Sequence, residues 1–276
     1  MKDKSIKDRI LRGLIWLSAL ITMGILVWII SYVFIKGMGS ISWEFLTGMA
    51  KGDGEGGILP MIITTFYVII ISIAMATPIG ICAAIYMVEY AKPGKLVRSI
   101  RFATESLAGI PSIIFGLFGF LFFVTALHFK FSILSGALTL SIMVLPTIVR
   151  TTEEALKSVP VSYREGSLGL GASKLSTIVN VVLPSAVPGV LAAVILSVGR
   201  IIGETAAIYM TVGMAPYIPK GFMESGRTLS VHLYLLAKEG ISFEKAYATA
   251  AVLILLVAFL NFIAKKTASA LDRNKV

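Results

Sequence analysis

Charged positions along this chain fall in clusters, and between the clusters lie long apolar runs. Six stretches, 13–35, 56–88, 106–127, 131–149, 175–199 and 246–264, contain no Asp, Glu, Lys or Arg. A helix needs roughly 20 apolar residues to cross ~30 Å of hydrocarbon, whereas a buried helix of a soluble domain runs to about 10–14. The pattern predicts an all-α, polytopic membrane protein with six transmembrane helices. The first run follows the basic segment "MKDKSIKDRILR", as in a signal peptide. It is too long for the apolar core of one and no clean small-residue cleavage site follows, so it reads as a retained first helix.

Within the runs, Pro78, Pro111 and Pro146 are expected to kink or start helices. Ser112 and Gly116 are four residues apart, with Gly119 one turn on, a small-residue face suited to close helix packing in lipid. Between the runs, "KGMGSISWEFLTGMAKGDGEGG" predicts an external loop with a flexible glycine-rich end. A second outer segment, about 213–245, carries Leu229, Val231, Leu233, Leu235 and Leu236, which suggest a short interfacial helix. The longest inner segment runs from Arg150 to about Pro188.

Composition agrees: the chain is 57% hydrophobic and only 14% charged, with a mean hydropathy of +0.89. Soluble domains are nearer a quarter charged, so no sizeable soluble domain is expected. With the N-terminus inside, most of the 25 basic residues face inward: Lys2, Lys4, Lys7, Arg9 and Arg12; Lys92, Lys95, Arg98 and Arg101; Arg150, Lys157, Arg164 and Lys174; Lys265, Lys266, Arg273 and Lys275. That bias predicts cytoplasmic N- and C-termini. Anionic headgroups of the inner leaflet account for the net charge of +10, so membrane lipid, and no nucleic acid, is the expected partner of this charge. Cys82 is the single cysteine; it cannot form an internal disulfide, has no CxxC spacing around it, and is expected to pack as a small apolar residue. The two histidines, His128 and His232, form no HExxH, and no nucleophile constellation stands out, so no metal, cofactor or enzymatic activity is expected.

One run ends in unusual chemistry. "LSVGRIIGETAAIYM" places Arg200 and Glu204 four residues apart in apolar sequence. If the fifth span starts near Val187, Arg200 lies ~20 Å along it, too deep for easy snorkelling, at a cost of about 2.5–3.5 kcal/mol. At that spacing the two side chains share a helix face and can pair. Two readings stay open: a structural ion pair that locks helices, or an arginine that contacts an anion in passage while Glu204 positions it. A guanidinium suits phosphate oxygens through its planar, bidentate donors and its permanent charge.

The inner segment reads "EALKSVPVSYREGSLGLGASKLSTIVNVVLPSAVPG". Gly166 and Gly171 have P-loop spacing, but Ala172 stands where a lysine is required and no apolar strand precedes, so this chain is not expected to bind ATP. The segment resembles instead the coupling motif of ABC-importer permeases, EAA-x3-G-x9-aliphatic-x-LP. Glu165 matches the acid, Gly166 and Ser167 replace the alanines, and Gly171, Val181, Leu183 and Pro184 fall in register. A short helix closed by Gly171 in a left-handed cap could dock on a partner, with Pro184 helping to end the loop and redirect the chain.

With "IPSIIFG", "RTTEEALKSVP" and "GRIIGETAA", residues 56–265 resemble the permease subunits of phosphate ABC importers, the A-type subunit more than the C-type. The resemblance implies the type I ABC-importer permease fold. It divides the chain into 1–55 (N-terminus, first helix and external loop), 56–265 (permease domain with a coupling loop at about 150–188) and 266–276 (tail). It implies a bacterial inner-membrane subunit that passes inorganic phosphate with a homologous C-type permease, an ATPase dimer docked on the loop and an extracytoplasmic phosphate-binding protein. It also adds Arg150 to Arg200 and Glu204 as pathway residues. A permease for sulfate or molybdate is the nearest alternative; a channel or secondary transporter is disfavoured by the coupling motif.

Overall fold

The computed structural model describes residues 2–51, 55–92 and 94–273, with side chains placed from 7 to 266. Of the expected flexible loop end, Gly52 to Gly54 lie outside the described residues, as do Lys275 and the side chains of Lys2, Lys4 and Arg273. Among the described residues twelve α-helices follow one another, and the only β-type pairing is an isolated bridge between Ala50 and Gly56.

The first helix, α1 (Lys2–Gly37), is followed by a short α2 (Trp43–Thr47), which Ser42 starts by accepting a hydrogen bond from the Phe45 amide. Phe45 is buried against Ile58 and Met61, so the loop after α1 is pinned to the start of α3 (Leu59–Ile85). A π-helical turn, Tyr86–Tyr90, extends α3. The third apolar run does not form one straight span. Helices α4 (Lys95–Ala108) and α5 (Ser112–Gly119) meet at 102°. Pro111 has no amide to donate and disfavours helical geometry at Ile110, so α4 stops and a new helix begins. Pro78 and Pro146, by contrast, lie inside helices.

Helix α6 (Ile133–Ser158) is the centre of the bundle, two-thirds buried, whereas α1 buries none of its most apolar stretch within this chain. Leu140, Met143, Val144 and Ile148 of α6 pack against Val68, Ile69 and Ala76 of α3. Beyond α6 come α7 (Val161–Gly169), α8 (Lys174–Thr177), a π-helical turn Ile178–Val182, and α9 (Leu183–Gly203). The expectation that the fifth span starts near Val187 is corrected: an apolar helix runs unbroken from Lys174 to Gly203. Pro184 therefore does not end the loop. It sits in the first turn of α9, where the wider π turn just before it accommodates the missing amide.

Two short helices, α10 (Ala206–Thr211) and α11 (Leu229–Lys238), and the last helix, α12 (Phe243–Arg273), complete the fold. The expected short helix is α11; Leu229, Val231, Leu235 and Leu236 are buried, so its apolar side is covered by protein. Gly116 and Gly119 fulfil the small-residue expectation. A Cβ on Gly116 would stand 2.8 Å from Ala207 Cα, and one on Gly119 would collide with the Thr139 side chain and come within 2.8 Å of Thr211 Cγ2. Cys82 corrects its expectation, since it is exposed on α3 rather than packed inside this chain. Among the described residues, five helices are long and apolar enough to cross a membrane, or six if α4 and α5 with its π-helical extension count as one bent span.

Candidate functional site

The sequence puts Arg200 and Glu204 on one helical stripe; the backbone separates them. α9 ends at Gly203, and Glu204 is in extended geometry (φ −72°, ψ 129°) as the chain breaks before α10. Arg200 and Glu204 form no ion pair, so the pairing that their spacing allows is not made. The buried Glu204 carboxylate turns forward and accepts from the Ala207 amide at 3.1 Å, satisfying one of the free N–H groups at the start of α10. Its carbonyl accepts from Ser230 Oγ of α11 at 2.6 Å. Glu204 thus holds the broken helix open and ties it to α11.

Arg200 stays half-buried in the last turn of α9, where a cation suits the helix dipole. It shares the helix face of Leu196 and Gly203, both exposed, while Ser197, Ile201 and Ile202 face the core. No carboxylate lies within ion-pair distance of it among the described residues. Beyond the break, the Thr211 carbonyl at the end of α10 accepts from the Ser132 amide at the head of α6.

Arg150 was expected at the inner end of the fourth span, but α6 continues two turns past it. It lines a cleft of about 400 Å³ between α4 and α6, together with Arg101, Thr104, Glu105, Glu154 and Lys157. Its Nε lies 3.4 Å from Glu154 Oε1, both side chains being well exposed, an arrangement of little energetic weight. Glu153 is the stronger node: its Oε1 accepts from Arg101 Nη2 and Lys157 Nζ, each at 2.6 Å. Arg150 and Arg200 stand on different helices, α6 and α9.

The coupling motif spans helix, cap and helix. Glu165, Gly166 and Ser167 are on α7, with Glu165 and Gly166 exposed. Gly171 takes φ +86°, as expected for a left-handed cap. Its amide donates to the Leu168 carbonyl and that of Ala172 to Ser167, the double closure of a Schellman motif. Val181, Leu183 and Pro184 lie in the π turn and the first turn of α9 rather than in a loop. Val161, Tyr163, Leu168 and Leu170 leave α7 and its cap with a largely apolar exposed surface.

Sequence reasoning missed what holds α7. Arg164 Nε and Nη2 donate to Glu89 Oε1 at 3.0 and 2.8 Å, while Nη1 and Nη2 reach the carbonyls of Val159 and Leu156, each at 2.8 Å. Read only as one more inward basic residue, Arg164 gives no signal; Glu89 does, as the lone acid between Glu55 and Glu105.

Residues 76–274 match the family described as "Binding-protein-dependent transport system inner membrane component". The chain belongs to that family. As a member of this transport family it is a multi-pass membrane transport subunit and not an enzyme. The probable ABC transporter permease protein YqgI of Bacillus subtilis is 34% identical over 275 residues, 94% of each chain. The phosphate transport system permease protein PstA of Mycobacterium leprae is 34% identical over 266 residues, 94% of this chain and 87% of the relative. The protein of the same name from Haemophilus influenzae is 31% identical over 261 residues, 94% and 92% of the two chains. Among solved structures, a chain of the bacterial alginate ABC transporter aligns with a TM-score of 0.65 at 15% identity, covering 90% of this chain and 92% of its own. A chain of the inward-facing MetNI methionine ABC transporter aligns with a TM-score of 0.61 at 20% identity, covering 78% and 94%. These likenesses establish the importer-permease fold.

Proposed function

We propose that this chain is a permease subunit, of the A type, in an ATP-driven importer that passes inorganic phosphate across the bacterial cytoplasmic membrane. The observation that carries the reading is Arg200, a half-buried guanidinium without a carboxylate partner among the described residues, on a face of α9 that this chain leaves partly uncovered. Facing lipid, such a charge would cost about 2.5–3.5 kcal/mol. Facing a seam with a second, C-type permease, it offers fixed donors to an anion in transit. The relatives named as phosphate permeases, matched over 94–95% of this chain, make phosphate the preferred anion.

In this reading Glu204 shapes the break beside Arg200 without neutralising it, and Arg150 meets the anion later, in the cleft at the α7 end. The basic bias supports a cytoplasmic position for both termini and α7. There the exposed surface of α7, with Glu165, Gly166 and Ser167, docks on an ATPase dimer, while an extracytoplasmic binding protein delivers phosphate to the opposite end. Residues 56–265 form the permease domain, flanked by the first helix and loop (1–55) and a tail (266–276). ATP binding draws the ATPases together, moves α7 and rocks the spans between outward and inward access.

The test is reconstitution of the co-purified complex with its binding protein, followed by ATP-dependent uptake of radiolabelled phosphate in competition with sulfate and molybdate. Uptake insensitive to both supports phosphate. Effective competition assigns the chain to another oxyanion, and absence of any ATP-dependent uptake overturns the proposal.

A further inference from the structure

We propose that Arg164 and Glu89 form a latch that makes α7 move as one body with the ends of three spans, so that they are the positioning residues for coupling ATP hydrolysis to transport. This deepens the reading of α7 as the ATPase-docking element and rests on it. Arg164 points inward from a helix whose opposite side is exposed. Its side chain is only 18% exposed and that of Glu89 only 9%. All three guanidinium nitrogens are used: two on one carboxylate oxygen at the end of α3, and two on carbonyls at the C-terminus of α6, the Nη2 group being shared. Those carbonyls belong to the end of α6 and its cap, where helices leave acceptors without intrahelical partners and where a cation meets the negative end of the dipole.

A third tie runs from Ser167 to Thr177 on α8, between hydroxyl oxygens 2.9 Å apart. Beneath the latch, Ala84, Leu156, Val159, Val182 and Ala186 form a small apolar cluster joining α3, the end of α6 and the start of α9. Charge-assisted bonds over a dry cluster resist shear, since breaking the pair leaves a buried ion without compensation. The latch and the cluster take in two π turns. Glu89 sits in one π turn (Tyr86–Tyr90), and the other (Ile178–Val182) begins directly after Thr177. Such turns interrupt the regular helical ladder. A push on α7 is thus delivered to α3, α6 and α9 together.

The test uses the full reconstituted complex with Glu89→Gln, which keeps shape and removes charge, and Arg164→Lys, which keeps charge and removes the fork. The ATPase subunits are expected to co-purify normally while phosphate moved per ATP hydrolysed falls about tenfold in each variant. The double variant should be no worse than the poorer single one. A purely structural role would lower uptake and ATPase activity together and leave their ratio unchanged, which overturns the latch, as does an additive double variant. A second measurement does not depend on substrate. In a Cys82→Ala background, spin labels at Lys92→Cys and Ser162→Cys should report one narrow distance, unchanged by ATP, that broadens when Glu89→Gln is added. If it stays narrow, the latch is wrong even in a complex that transports phosphate. If it broadens in a complex that transports none, the latch stands and the substrate assignment falls.

Discussion

Replacing Arg200 separates the two readings of the charged stretch most directly. Because Arg200 has no carboxylate partner among the described residues, Arg200→Gln breaks none of the ion pairs described. The fold loses a favourable cation in the last turn of α9, worth about 0.3–1 kcal/mol. Removing a charge from the membrane interior acts in the opposite sense, so assembly is expected to stay at wild-type level. A charge-assisted hydrogen bond to a passing anion is worth about 1.5–3 kcal/mol, and each 1.4 kcal/mol is roughly tenfold. Uptake measured as kcat/KM in proteoliposomes should therefore fall about 10- to 150-fold in Arg200→Gln. Arg200→Lys should fall between, keeping the charge without the planar fork. Glu204 is engaged with the Ala207 amide, so adding Glu204→Gln should be additive within about 0.5 kcal/mol. Wild-type uptake by an Arg200→Gln complex of normal composition refutes the anion contact. Rescue of Arg200→Gln by Glu204→Gln would instead expose the buried pair that the backbone break argues against.

Further outcomes follow from other parts of the fold. His232, on α11, is buried, and that burial, with the charges of Arg227 and Lys245, pushes its pKa from 6.5 down to about 4. The unfolded chain then binds the extra proton first, so stability is full above about pH 6.5 and declines toward pH 4 by about 3 kcal/mol. Thermal unfolding across that range should show the decline, and His232→Leu should remove it. Gly119→Val should destabilise the bundle by about 1–3 kcal/mol through its clash with Thr139 and Thr211, whereas Gly24→Ala, with open space around it, should leave the melting temperature unchanged. Gly171→Ala should cost about 1–2 kcal/mol at its positive φ, seen as faster hydrogen exchange in α7, while Gly169→Ala should not. Arg150→Gln should slow uptake if the cleft is on the pathway; unchanged uptake makes Arg150 a topology signal only.

The apolar runs made the helical membrane architecture legible because lipid penalises charge wherever a span crosses it. They could not show how spans bend or where they begin. Ile110 and Pro111 turn the third run through 102°, and the π turn before Pro184 lets the fifth helix start at Lys174. Spacing alone also misled at Glu204, since a four-residue interval implies a shared face only while the helix continues, and Gly203 ends it. Gly171 was readable because its conformation excludes most side chains. The Arg164–Glu89 contact was not, because its partners are 75 residues apart and neither belongs to the coupling motif.

Helix α1 rests chiefly on α12, with Gly37 pressed against the Tyr247–Ala248 backbone and Tyr32 edge-on to Tyr247 at 5.7 Å. Helix α1 is made before α12 and therefore waits for it before it gains its main protein neighbour. Until then its apolar stretch is what keeps it in the membrane. Chains truncated before Phe243 would leave it unmoored, a natural mark for membrane quality control.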